Sequence, residues 1–171
     1  MDLFKSFESA LGVLRRDPTA IAAVSQDQGA LVPGLFFASL AGFLGMLPGG
    51  MTGALLMLVV APVAVFSGVF VLFLIARLLG GSGSYMTLWR PCSHAYLLNA
   101  VGIALFVPAL GLIVVVISSI YYLIVLVSIV QATQHISRGR AVAVAIIPLG
   151  LPIVLYALLS YNTSDILLLH P

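Results

Sequence analysis

The chain has 171 residues, of which 62% are hydrophobic and 7% charged, with a formal net charge of +2, whereas an ordinary soluble domain is roughly 25% charged. Seven Lys and Arg with five Asp and Glu cannot cover the surface of a soluble domain of this length, so lipid must cover most of it. The small positive charge comes with no basic stripe and no RNA-binding motif, which argues against nucleic acid as a partner, and the single cysteine, Cys92, excludes an intramolecular disulfide framework and a multi-cysteine metal site.

Residues 1–16 have the pattern of an amphipathic helix. At 100° per residue, Leu3, Phe4, Phe7, Ala10, Leu11 and Leu14 fall within one arc of about 120°, and Lys5, Glu8, Ser9, Arg15 and Arg16 lie opposite. Such a helix either lies in the lipid headgroup region or packs against the protein's own loops. It has no continuous apolar core of the kind a cleavable signal peptide needs, so the first membrane helix is expected to act as the insertion signal. Asp17-Pro18 then marks a break, with Asp17 as the N-cap and Pro18 as the first residue of a short helix through Val24. Gln26, Asp27, Gln28 and Gly29 are the last polar residues before the apolar runs.

Those runs are continuous rather than alternating, so they predict helices and not the strands of a barrel. A helix needs roughly 20 residues to cross about 30 Å of hydrocarbon. The first run extends from Leu31 to about Leu47 and stops at Pro48-Gly49-Gly50, a turn signal. The second extends from about Ala54 to Leu79 and contains Pro62, which should kink it. From Cys92 to Gln131 no residue is charged, and as one helix this stretch would reach about 60 Å, twice the hydrocarbon thickness. It therefore predicts a hairpin that breaks at Val107-Pro108, with a short, somewhat polar third helix and a fourth beginning at Pro108. The fifth runs from Ala141 to about Ser160 and contains Pro148 and Pro152. The expected fold is all-α, a polytopic membrane protein with five transmembrane helices: a cytoplasmic segment 1–30, a membrane domain 31–160 and a short extracytoplasmic tail 161–171.

Charge supports this count. With five crossings, Lys5, Arg15, Arg16, Arg77, Arg90, Arg138 and Arg140 all fall on the side of the N-terminus, as the positive-inside rule requires when that side is the cytoplasm. The C-terminus then lies outside. These seven residues are the expected contacts for lipid headgroups or a partner protein.

The residues offer little chemistry. Asp2, Glu8, Asp17, Asp27 and Asp165 all lie outside the predicted helix cores, which leaves no proton relay or carboxylate-rich metal centre in the membrane. His94, His135 and His170 are scattered rather than set at ligand spacing. No catalytic site, metal site or cofactor is expected. Gly80-Gly81-Ser82-Gly83-Ser84 forms either a backbone cradle for phosphate or a C-cap and turn after the second helix; it lacks the Gly-Lys-Ser/Thr of a P-loop. Folding the hairpin at Pro108 puts Asn99 at the depth of Ser118, and Tyr96 near Ser119 to Tyr121. These polar side chains either satisfy one another across the helices or line a solute path.

The landmarks together resemble the Yip domain family of Ypt/Rab-interacting membrane proteins. They are the Arg15-Arg16-Asp17-Pro18 entry, Gly80-Gly81-Ser82-Gly83-Ser84-Tyr85 after the second helix, Tyr96 in the third, Tyr121-Tyr122 in the fourth, and Ser137-Arg138-Gly139-Arg140-Ala141 before the fifth. The resemblance implies five crossings with a cytoplasmic N-terminus. The chain departs from the pattern in two ways. Asn99 stands where members often have proline, and only 30 residues precede Leu31, against a longer partner-binding region in eukaryotic members. It therefore resembles the prokaryotic branch, which implies a fold and a membrane location rather than an activity or a Rab-type partner. The expected function is a non-enzymatic scaffold or adaptor of the cell inner membrane that meets lipids, a partner protein or a second copy of the chain. The alternatives are a small-solute or ion channel or transporter and, lacking a catalytic constellation, a lipid-acting enzyme.

Overall fold

A computed structural model describes residues 3–148. The end of the expected fifth helix, with Pro152, and the tail 161–171 lie outside the described residues. The chain begins with α1 (Leu3–Leu14) and α2 (Pro18–Gln26). Between them Asp17 accepts hydrogen bonds from the N–H and hydroxyl of Thr19, at 2.8 and 2.7 Å, and so caps a helix that opens on proline. Asp27 then accepts from Gly29 N–H at 2.8 Å and starts a single 3-10 turn that leads into α3 (Leu31–Met46).

The long α4 (Met51–Leu78) carries Pro62 in its interior. It is followed by α5 (Tyr85–Ala95), a 3-10 segment (Tyr96–Phe106) and α6 (Pro108–Gln134), and residues 138–148 form a further helix, α7. Three of these stretches, Gln28–Gly49, Met51–Leu78 and Pro108–Gln134, are long and apolar enough to cross a membrane. α4 exposes Leu55, Leu56, Val59 and Val63, and α6 exposes Leu112, Ile113, Ile117 and Ile120. Apolar faces of this extent are suited to lipid rather than water.

The region expected to hold the third helix is built differently from the sequence reading. The chain turns at Val107-Pro108, but the helix before it begins at Tyr85 rather than Cys92 and changes its hydrogen-bonding pattern at Tyr96. Packing explains the early start. The Tyr85 ring stands edge-on to Phe66, Phe70 and Phe73, its hydroxyl donates to Phe66 O at 2.8 Å, and Leu88 through Ala95 are buried apart from Arg90. A 3-10 helix rises about 2.0 Å per residue against 1.5 Å for an α-helix. The 11 residues of the 3-10 segment therefore cover about 22 Å instead of about 16 Å, which lets a short segment run much of the length of its neighbours. It lies between α3 and α6. The approach to α3 is backbone on backbone: a Cβ added to Gly102 would lie 2.8 Å from Gly45 Cα.

Four ties join the elements, three at one end of the bundle and one at Tyr121, midway along α6. Tyr121 Oη donates to Leu14 O at 2.7 Å, Arg90 Nη1 to Ser25 O at 2.8 Å, Arg140 Nη1 to Leu79 O at 3.2 Å, and Ser82 N–H to Gln134 O at 3.0 Å. The loop 80–84 therefore bridges the ends of α4 and α6 at a basic end that also holds α2. Since α6 has 27 residues and is about 40 Å long, the chain from Tyr85 to Phe106 must travel back along it to reach Pro108.

Candidate functional site

The basic end draws on the sequence-predicted cations in two ways. Arg77, Arg90 and Arg140 donate to backbone carbonyls near helix ends: Arg77 Nη1 to Gly81 O at 3.2 Å, Arg90 to Ser25 O and Arg140 to Leu79 O. Terminal carbonyls lack intrahelical donors and carry the negative end of the helix dipole, so a guanidinium suits them. Arg77 also sits over the Phe73 ring, 5.4 Å from its centroid. Lys5, Arg15, Arg16 and Arg138 are exposed. On α1, Ala10 and Val13 are fully buried whereas Leu3, Phe4 and Phe7 are 48%, 74% and 44% exposed, so the second half of the helix packs on the protein and the apolar residues of the first half face outward.

The glycine-rich loop fastens helix ends. Gly80 N–H donates to Arg77 O at 3.1 Å and Gly81 N–H to Ala76 O at 2.8 Å, closing α4, while Ser82 N–H closes α6. These three N–H groups are engaged and do not point into a phosphate cradle. Gly83 has no room for a side chain, because a Cβ there would overlap Thr133 O. Gln134, fully buried, donates to Ser84 O at 3.3 Å.

Inside the bundle, Tyr96, Asn99 and Ser118 line one cavity of about 260 Å³ with Ser119 and Tyr122. Tyr121 is not among its walls; its hydroxyl holds Leu14 instead. Tyr122, named in the sequence only as a landmark beside Tyr121, takes the place expected for Tyr121, since it stands four residues from Ser118 and so on the same helical face. The polar groups turn to their own helices: Asn99 Nδ2 donates to Tyr96 O at 3.2 Å and Ser119 Oγ to Val115 O at 2.8 Å. Tyr96, Asn99, Ser119 and Tyr122 also border a second cavity of about 410 Å³, whose other walls include Val65, Val69 and Leu126.

His94 is buried, and its Nδ1 lies 2.8 Å from Arg90 O. A carbonyl only accepts, so Nδ1 carries the proton. Cys92 is fully buried. Among the described residues no three His, Cys, Asp or Glu side chains converge on a point that could hold a metal ion. At the α1–α2 junction, the Thr19 hydroxyl and N–H hold the Asp17 carboxyl below the usual carboxylate range.

Long apolar helices with lipid-suited faces, small-residue contacts and a gathered basic end define a helical integral membrane protein. The sequence model of the Yip1 domain matches residues 11–159, and the chain belongs to the Yip1 domain family. No curated protein and no solved structure matches it.

Proposed function

We propose that this protein is a non-enzymatic scaffold or adaptor of the cell inner membrane, with five crossings and a cytoplasmic N-terminus, whose basic end meets lipid headgroups, a partner protein or a second copy of the chain. The observation that carries the reading is the α1 helix. Anchored through buried Ala10 and Val13 and the Tyr121–Leu14 bond, it presents Leu3, Phe4 and Phe7 outward, a pattern suited to the headgroup boundary. The five-crossing count is supported by the return path of residues 85–106 along α6, which adds a fourth traverse to the three long helices, and by α7, which starts at the basic end.

Nitroxide labels at positions 3, 7, 8 and 15 of the full chain in bilayers test this reading, since buried Cys92 is shielded from the reagent. Labels at Leu3 and Phe7 should collide with oxygen dissolved in lipid, and labels at Glu8 and Arg15 with an aqueous nickel chelate. Four labels that all report water would remove lipid contact from the reading. A second reading, a small-solute or ion-conducting protein, is favoured by the cavity at Tyr96, Asn99 and Ser118. It requires a solute or ion flux in proteoliposomes that Asn99→Leu abolishes.

A further inference from the structure

We infer that the cavity where the α1–α2 turn meets the end of α6 is a binding site for one anionic phospholipid. The cavity has a volume of about 360 Å³ and is lined by Arg16, Pro18, Ile21, Ser128, Gln131 and His135 among others, within the range of about 300–1,000 Å³ typical of ligand sites. The inference rests on the proposed lipid contact of the basic end and narrows it to one place and one chemistry.

Three observations converge on it. The first is the set of donors. Arg16 carries up to five N–H donors in a planar fork, Gln131 an amide NH2 and His135 a ring N–H, which together match the acceptor oxygens of a phosphodiester. Arg16, Gln131 and His135 are exposed, and no acidic residue shares the cavity wall. Ser128 already donates to Ile124 O at 3.2 Å and is not needed.

The second is the line the residues make. Ile117, Ile120, Ile124, Ser128 and Gln131 recur at intervals of three and four and so form one stripe down α6 that leads to His135 just past its end. Ile117, Ile120 and Ile124 are 62%, 57% and 42% exposed. The stripe therefore changes from apolar to polar on approaching the basic end, in the order in which a phospholipid changes from acyl chain to phosphate. A free phosphate would have no use for the apolar part.

The third is the backbone. Among the described residues the non-glycine positions with positive φ are Arg16 at 61° and His135 at 55°, and both line this cavity. They follow the ends of α1 and α6, where glycine or asparagine commonly takes the left-handed conformation. The chain instead places a cationic and a titratable side chain in a strained backbone, and strain of this kind clusters at ligand clamps. Helix termination alone would be better served by glycine.

That contrast gives the test, run on the full chain in detergent by thermal melting. Phosphatidylglycerol should raise the melting temperature of the wild type, while inorganic phosphate at the same concentration should not, because a ligand stabilises only the state that binds it. Arg16→Gly with His135→Gly should melt no lower than wild type without lipid, since glycine relieves the positive φ, and should need at least tenfold more phosphatidylglycerol for the same shift. Gln131→Leu, at an ordinary helical position, serves as the second variant and should also weaken the lipid effect. Lys5→Gln with Arg15→Gln, which do not line this cavity, should leave the shift intact in detergent, while the same variant in bilayers should show fewer collisions of a label at Leu3 with lipid-dissolved oxygen, which separates this site from the general headgroup contact. A double-glycine variant or a Gln131→Leu variant that keeps the full lipid shift would overturn the site. An equal shift with inorganic phosphate would overturn the phospholipid as its occupant.

Discussion

At the residue scale, Asp17 shows how a local signal fixes a junction. Its carboxylate holds the first turn of α2 through Thr19, and the same bonds depress its pKa. A group whose folded pKa lies below its unfolded value stabilises the fold above the unfolded value, about 3.9 for Asp, and loses that contribution as pH falls through the folded value. The protection of the Thr19 N–H against hydrogen exchange, taken relative to the intrinsic rate at each pH, should therefore fall as pH drops below about 4. Asp17→Asn, itself a good N-cap, should hold the turn without this pH dependence; an unchanged acid response in that variant would point to another group.

Tyr121 makes a long-range tie of a different kind, joining residues 107 positions apart. Tyr121→Phe should lower stability by about 0.5–1.5 kcal/mol, read by chemical denaturation. It should also loosen α1, read as faster proteolysis near Arg15. No loss in either measurement would mean that Leu14 is held by packing alone.

At the element scale, what the sequence made legible depended on how local the cause was. Asp17-Pro18 and Val107-Pro108 could be read because proline and a capping carboxylate act on their own neighbours. The long apolar helices could be read because lipid imposes their length. The change to 3-10 geometry at Tyr96 could not, since it depends on how far the segment must reach between α3 and α6. The roles of Arg77, Arg90 and Arg140 were hidden for the same reason: a count of charges gives an expected side of the membrane but not the carbonyl each one meets. Tyr121 and Tyr122 are adjacent in sequence, and which of them faces the cavity is decided by the rotation of α6.

The α1 arc was legible as a periodicity but not as a partition. Val13, outside the predicted arc, is buried, while Leu3, Phe4 and Phe7 inside it are exposed. At the α3 contact the determining residue is glycine. Gly102→Leu would drive a side chain into the Gly45 backbone and should cost about 1–3 kcal/mol as overpacking. It should also enlarge or distort the cavity at Asn99, seen as faster labelling of a cysteine placed at Ser118. A variant as stable as wild type would show that the 3-10 segment can move away from α3 without penalty.

At the scale of the whole molecule, the arrangement brings α2, the glycine-rich loop and the first turn of α7 to one end, with α1 tied farther along α6. Each of these regions contributes to a tie: Leu14 and Ser25 accept from Tyr121 and Arg90, Ser82 donates to Gln134, and Arg140 donates to Leu79. For the proposed scaffold, a basic end assembled in this way would be one working face on one side of the bilayer, the side on which the positive-inside rule expects the seven cations. In the proposed topology this end is cytoplasmic and five crossings carry the C-terminus to the other side. Topology reporters inserted at Gly81, inserted at Ser137 and fused after Pro171 of the full chain test it most directly. Cytoplasmic signals are expected at Gly81 and Ser137 and an extracytoplasmic signal after Pro171. A reporter after Pro171 on the same side as one at Ser137, or Gly81 and Ser137 on opposite sides, would contradict it.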